Sequence, residues 1–93
     1  MNLTVTWTKR FKKDYKQAMK RGQVIEELDQ VIRILSRGKK LPEKYEDHQL
    51  AGNWHGHREC HIRPDWLLIY KISEKHLVLT LTRTGSHAEL FAL

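Results

Sequence analysis

His61 and Asp65 stand four residues apart in HIRPDW, with a proline between them. Downstream, LTRTGSHAELF carries Arg83 and His87; upstream, DHQLAGNW carries His48. Histidine, with an unperturbed pKa of about 6.5, can give or take a proton near neutral pH. A carboxylate can act as base or orient an imidazole. An arginine fork can hold a phosphate and stabilise charge that develops on it. These residue types suit cleavage of RNA by its own 2′-hydroxyl, which leaves a 2′,3′-cyclic phosphate. That reaction needs a base for the 2′-proton, an acid for the departing 5′-oxygen, and positive charge near the phosphate. Each proton-transfer role is worth roughly 10²–10⁴-fold. Pro64-Asp65 is also good turn chemistry by itself, and a single strand histidine is more often half-exposed than catalytic. Whether these residues meet depends on the elements that carry them.

Leu3 and Val5 alternate with polar residues over 2–6, which predicts a short strand. Thr8 is the expected N-cap of a helix reaching about Arg21, with Phe11, Tyr15, Ala18 and Met19 on its apolar face. Gly22 marks a tight turn. A second helix, about 23–36, sets Val24, Ile25, Leu28, Val31, Ile32 and Leu35 on one face, and core packing explains that pattern completely. Gly38 suits the position that ends it. Residues 39–53 read as a long loop, with Pro42 and Gly52 as punctuation. Strands are expected at about 54–62, 66–72 and 77–84. The order β-α-α-β-β-β gives an α+β fold, two helices on one face of a mainly antiparallel sheet.

Trp66, Leu68, Tyr70 and Ile72 alternate along one strand, and His55, His57, Glu59 and His61 along its neighbour. Register aligns like with like. A three-residue loop, Arg63-Pro64-Asp65, pairs Ile62 with Trp66 and Cys60 with Leu68. His57, Glu59 and His61 then share a face with Leu67, Ile69 and Lys71. The end of the last strand, with Arg83 and then His87, returns to the same rim as this turn. Three separated segments can therefore bring His61, Asp65, Arg83 and His87 together, and His48 can join from the loop.

The chain has 93 residues, enough for one domain, expected to span 1–93. Residues 1–44 hold 12 Lys/Arg against 5 Asp/Glu, and residues 45–93 hold 5 against 6. The first half thus supplies a basic field, and the second half holds all six histidines. Such a field attracts nucleic acid, anionic membranes or acidic protein segments, and it also serves solubility. The apolar runs are far shorter than the roughly 20 residues of a membrane span. A single cysteine, Cys60, excludes an internal disulfide and fits a reducing compartment. A cytoplasmic protein with no membrane association is expected. Zinc on His55, His57 and His61 is conceivable, but Cys60 points to the opposite face and no CxxC is present. The second helix has few base-reading side chains on its exposed side, so ribosomal RNA suits the charge better than DNA.

DHQLAGNWHGHRECHIRPDWLLIYKI, followed by LTRTGSHAELF, resembles the YafQ-type toxins of the RelE/ParE superfamily. The resemblance covers roughly residues 43–91 and, more weakly, the basic two-helix half. It implies a RelE-like fold and the toxin of a type II toxin–antitoxin pair, monomeric alone and in a higher-order complex with its cognate antitoxin. It further implies cleavage of messenger RNA on the ribosome, with no metal or other cofactor. By motif position the family's functional set falls on His48, His61, Asp65, His87 and Phe91. Arg83 is added from charge and position, as a phosphate ligand. His87 is expected as general acid, and the base stays open among His48, His61 and Asp65. Phe91 could stack on a base, and Lys9, Lys12, Lys13 and Lys16 could dock on ribosomal RNA. A non-catalytic ParE-like toxin, acting on a topoisomerase, or an RNA- or protein-binding module are the alternatives; the histidines and RTGSH argue against the ParE branch.

Overall fold

The computed structural model describes residues 1–92. Strand β1 (Thr4–Trp7) leads into helices α1 (Lys9–Lys20) and α2 (Ile25–Ser36). Strands β2 (His48–Gln49), β3 (Arg58–Arg63), β4 (Trp66–Ser73) and β5 (Val78–Gly85) follow, and α3 (His87–Phe91) closes the described chain. The sheet order is β1-β5-β4-β3-β2, antiparallel except where β1 lies parallel to β5. The α+β expectation holds. Helix α3 falls in SHAELFAL, where the sequence suggests a short turn or helix, and β2, too short to show a period, falls in the stretch expected as loop.

Thr8 caps α1 as expected: its hydroxyl oxygen accepts the Phe11 N–H at 2.9 Å and donates to the Thr82 carbonyl at 2.8 Å. One side chain thus starts the helix and ties it to β5. Phe11 and Ala18 of α1 and Leu28, Val31 and Leu35 of α2 are buried against Cys60, Leu68, Tyr70, Leu79 and Leu81 of the sheet. Met19 and Val24, expected on the apolar faces, are about half exposed. Met19 lies in the last turn of α1 and Val24 is the N-cap of α2, so both are at the edge of the contact. Gly38 sits at φ +71° beyond α2, and a Cβ there would lie 2.6 Å from the Met1 carbonyl oxygen. Only glycine fits both the left-handed turn and the close approach.

Strand β4 is buried from Trp66 to Tyr70, on both of its faces. One face meets α1 and α2. On the other, Leu67 and Ile69 pack with Leu90 of α3, flanked by Leu50, Trp54 and Phe91. The odd positions of β4 therefore cover a second, smaller core and not a polar surface alone.

The β3–β4 turn corrects the expected register. Cys60 pairs with Leu68 and His61 with Leu67, as predicted, but Arg63 pairs with Trp66. The turn is the two residues Pro64-Asp65, and an irregularity between His61 and Arg63 absorbs the extra residue. A bulge keeps Ile62 in the main core while the faces stay unmixed.

Candidate active site

Alternation along β3 builds the site. Side chains one apart point to opposite faces, so Glu59 and His61 lie on the face away from α1 and α2. His48 is paired directly with Glu59 across β2 and β3. Residues 48, 59 and 61 therefore converge before any long loop is considered. The fourth member arrives with α3, whose N-cap Ser86 closes a reciprocal capping box with Glu89. That box fixes where His87, the first residue of the helix, stands. Glu89 also accepts from Arg21, the C-cap of α1. The Ser86 N–H, then Arg21, hold the Glu89 carboxyl below the ordinary glutamate value.

The imidazoles of His61 and His87 face each other edge-on, with ring centroids 5.6 Å apart. His48 and His61 are 6.4 Å apart. Asp65, at the turn, accepts twice from His87: from its backbone N–H at 2.9 Å and from Nδ1 at 2.6 Å. These two bonds, the backbone one larger, hold the Asp65 carboxyl below the ordinary aspartate range. Phe91, one turn along α3, lies 6.4 Å from the His87 ring and 6.4 Å from Trp54. The sequence-predicted His48, His61, Asp65, His87 and Phe91 are thus brought together.

Three neighbours shape the set without having been singled out in the sequence. Glu59 is 4% exposed, and its Oε1 lies 3.1 Å from His61 Nε2 and 3.6 Å from His48 Nε2. Glu46 holds its carboxylate 3.5 Å from His61 Nδ1, while its carbonyl takes the Nδ1–H of His48 at 2.8 Å. Trp54 closes the apolar end beside Phe91. The period-two pattern places Glu59 on this face, but nothing local says that it is sealed beneath two rings.

Arg83 points elsewhere. Its guanidinium forks onto Asp14 of α1, Nε to Oδ2 at 2.9 Å and Nη2 to Oδ1 at 3.1 Å. The Thr84 N–H adds a third bond to the same carboxylate. A register shift between Ile69 and Tyr70 in the β4–β5 pairing lies beside it. Asp14 raises the Arg83 pKa, so the group is a permanent cation engaged by a helix. Arg83, expected as a phosphate ligand, is ion-paired to Asp14 and links β5 to α1. Lys9, Lys12, Lys13 and Lys16 are all exposed on α1, with Lys12 Nζ over the Trp7 ring.

His55, His57 and His61 do not form the histidine trio weighed as a metal set. Among the described residues, ligand atoms of Glu59, His61 and His87 do lie within 4.8 Å of one another. One carboxylate and two imidazoles are an acceptable donor set for zinc or copper.

Comparison with known proteins follows the same lines. Residues 3–92 match the family described as bacterial toxin of type II toxin–antitoxin system, YafQ. The chain is 40% identical over 88 residues to the mRNA interferase toxin YafQ of Escherichia coli strain K12, covering 94% of each. It superposes on one chain of the E. coli DinJ–YafQ toxin–antitoxin complex with a TM-score of 0.89 at 38% identity, covering 98% of this chain and 99% of that chain. A metal-bound toxin from Helicobacter pylori gives a TM-score of 0.90 at 43% identity, over 96% and 99%.

Proposed function

Because the chain belongs to the YafQ family of type II toxin–antitoxin toxins, we propose that it cleaves messenger RNA on the ribosome by acid–base catalysis in the cytoplasm. The observation that carries this reading is the edge-on pair His61–His87, each ring held by its own carboxylate. His87 is the general acid. Asp65 accepts the hydrogen bond of its Nδ1–H, which fixes the tautomer and leaves Nε2 as the atom that exchanges a proton with substrate. Asp65, committed to two His87 donors and poorly basic, is the orienting group and not the base.

The base is His48. A carbonyl can only accept, so the Glu46 contact leaves the proton on Nδ1. In the neutral ring the lone pair is then on Nε2, which faces the shared space beside Glu59. His61 stands between the two and, when protonated, meets the phosphate charge. Phe91 offers its face to a base. No metal takes part. A partner antitoxin, as in the DinJ–YafQ complex, holds the toxin inactive in a higher-order assembly, and the toxin alone is monomeric.

The ribosome supplies what this shallow site lacks. It presents the messenger in a near-attack geometry, and proximity accounts for much of the rate. Lys9, Lys12, Lys13 and Lys16 contact ribosomal RNA without reading sequence. The test is cleavage of one transcript by the purified protein, free and ribosome-bound. Bound messenger is cut far faster, and replacing two or three of these lysines with Glu weakens ribosome binding and flattens its salt dependence. Equal cleavage of naked RNA overturns the ribosome requirement.

A further inference from the structure

We infer that Asp47, clamped between Tyr70 and Arg58 on the helix side of the sheet, is a positioning residue that sets His48 as the base on the opposite side. This rests on the ribonuclease reading given above for His48. Asp47 Oδ1 accepts from the Tyr70 hydroxyl at 2.5 Å, and Oδ2 accepts from Arg58 Nη2 at 2.9 Å and Nε at 3.1 Å. The carboxylate thus takes three donors from two neighbouring strands.

The clamp matters because its own strand is so short. β2 consists of two residues, pairing His48 with Glu59 and Gln49 with Arg58, and one backbone bond beyond it, from the Leu50 N–H to the His57 carbonyl at 3.0 Å, extends the contact. Backbone pairing of that length holds a segment weakly. A slip of one residue would turn His48 to the wrong face. Asp47 prevents the slip, since its partners lie on the other side: Tyr70 is 1% exposed, in the core under α2. With Asp47 pinned to that side, its immediate neighbour His48 must point to the other, at Glu59 and His61. Burial first, then the Asp47 carboxylate, hold the Tyr70 phenol above its ordinary range, so it remains a donor. Arg58 likewise stays charged beside Asp47.

The turn before the clamp completes the device. Glu46 adopts φ 49°, ψ 43°, a left-handed conformation uncommon for a residue with a side chain. That turn aims the Glu46 carbonyl at His48 Nδ1. Position and tautomer of the proposed base thus both derive from residues 46 and 47, neither of which need touch substrate. Asp47 and Tyr70 lie outside the set that the reaction itself uses.

Imidazole nitrogen NMR on Asp47→Ala, Asp47→Asn and Tyr70→Phe tests the proposal, together with single-turnover cleavage of ribosome-bound messenger. In Asp47→Ala the His48 signals move to those of a free, tautomer-averaged ring, while His61 and His87 stay in place. The cleavage rate at saturating ribosomes falls about 10²-fold, the scale of a misplaced reacting group, and the half-saturating ribosome concentration is unchanged. Asp47→Asn, which keeps an acceptor for Tyr70, lies between. Tyr70→Phe, which keeps the ring in the core, shifts the same signals less and carries the test if Asp47→Ala does not fold. Unmoved His48 signals or an unchanged rate in folded Asp47→Ala overturn the proposal. So does a common shift of all three histidines, which would make Asp47 a general scaffold residue. The NMR readout needs no RNA. Wild-type protein that cleaves nothing therefore sinks the nuclease reading, while the control of His48 by Asp47 is still decided.

Discussion

One oxygen of Asp65 accepts from both the backbone nitrogen and the Nδ1 of His87. The turn between β3 and β4 therefore grips the first residue of α3 twice, and the imidazole is held while its other nitrogen stays free. His87 is partly exposed, with 40% of its side-chain surface open. Its replacement by Ala removes a proton-transfer group and little packing. Cleavage should fall about 10²–10⁴-fold, growth arrest should vanish, and the thermal midpoint should move little. A fully toxic His87→Ala variant would remove the general-acid role.

The same pair has a pH signature. The folded Asp65 pKa is depressed, so any stability from this contact is complete above the ordinary aspartate value of 3.8. It is lost as pH falls through the lower folded value, and neutral pH leaves it intact. Carboxyl-carbon NMR should show Asp65 titrating below 3.8. In His87→Ala the midpoint should rise only part of the way, because the backbone N–H, the larger cause, remains. Complete return to the ordinary value would mean that the ring, and not the helix start, holds the carboxylate.

Arg83 separates a structural from a chemical role. Its side chain and that of Asp14 are 16% and 11% exposed. Arg83→Ala strips two charged donors from a carboxylate that α1 holds against β5. This should cost about 1–3 kcal/mol in urea unfolding, and any loss of activity should track the loss of folded protein. Loss of cleavage with stability unchanged would restore the phosphate-holding role expected from the sequence.

Metal gives a fourth expectation. Glu59, His61 and His87 can bring three donor atoms to one ion, yet an imidazole nitrogen that ligates zinc cannot also carry a proton. Chelator treatment should leave the rate unchanged so long as ribosomal magnesium is maintained, and added zinc should slow it. Stoichiometric zinc that is required for cleavage would overturn the acid–base assignment of both histidines.

Much of this site is legible in the sequence because strand alternation is local. Cys60 opposite Leu68 and His61 opposite Leu67 follow from matching faces, and so does the meeting of His61 with the rim at His87. Three features are not local. The bulge between His61 and Arg63 converts an apparent three-residue loop into a two-residue turn, and only the packing of Ile62 reveals it. Arg83 finds its carboxylate 69 positions away in α1, so no nearby pattern could show that the cation is engaged. The two-residue β2 has no period to read, and Asp47 looks like any polar loop residue until Tyr70 and Arg58 are seen around it.

The parallel pairing of β1 with β5 carries a consequence for synthesis. β1 has β5, the last strand among the described residues, as its sheet neighbour, and His87 follows soon after β5. A nascent chain arrested before Val78 has neither the partner for Thr4–Trp7 nor the proposed acid. The sheet therefore closes, and the proposed acid joins it, only after the segment from Val78 to His87 has been made.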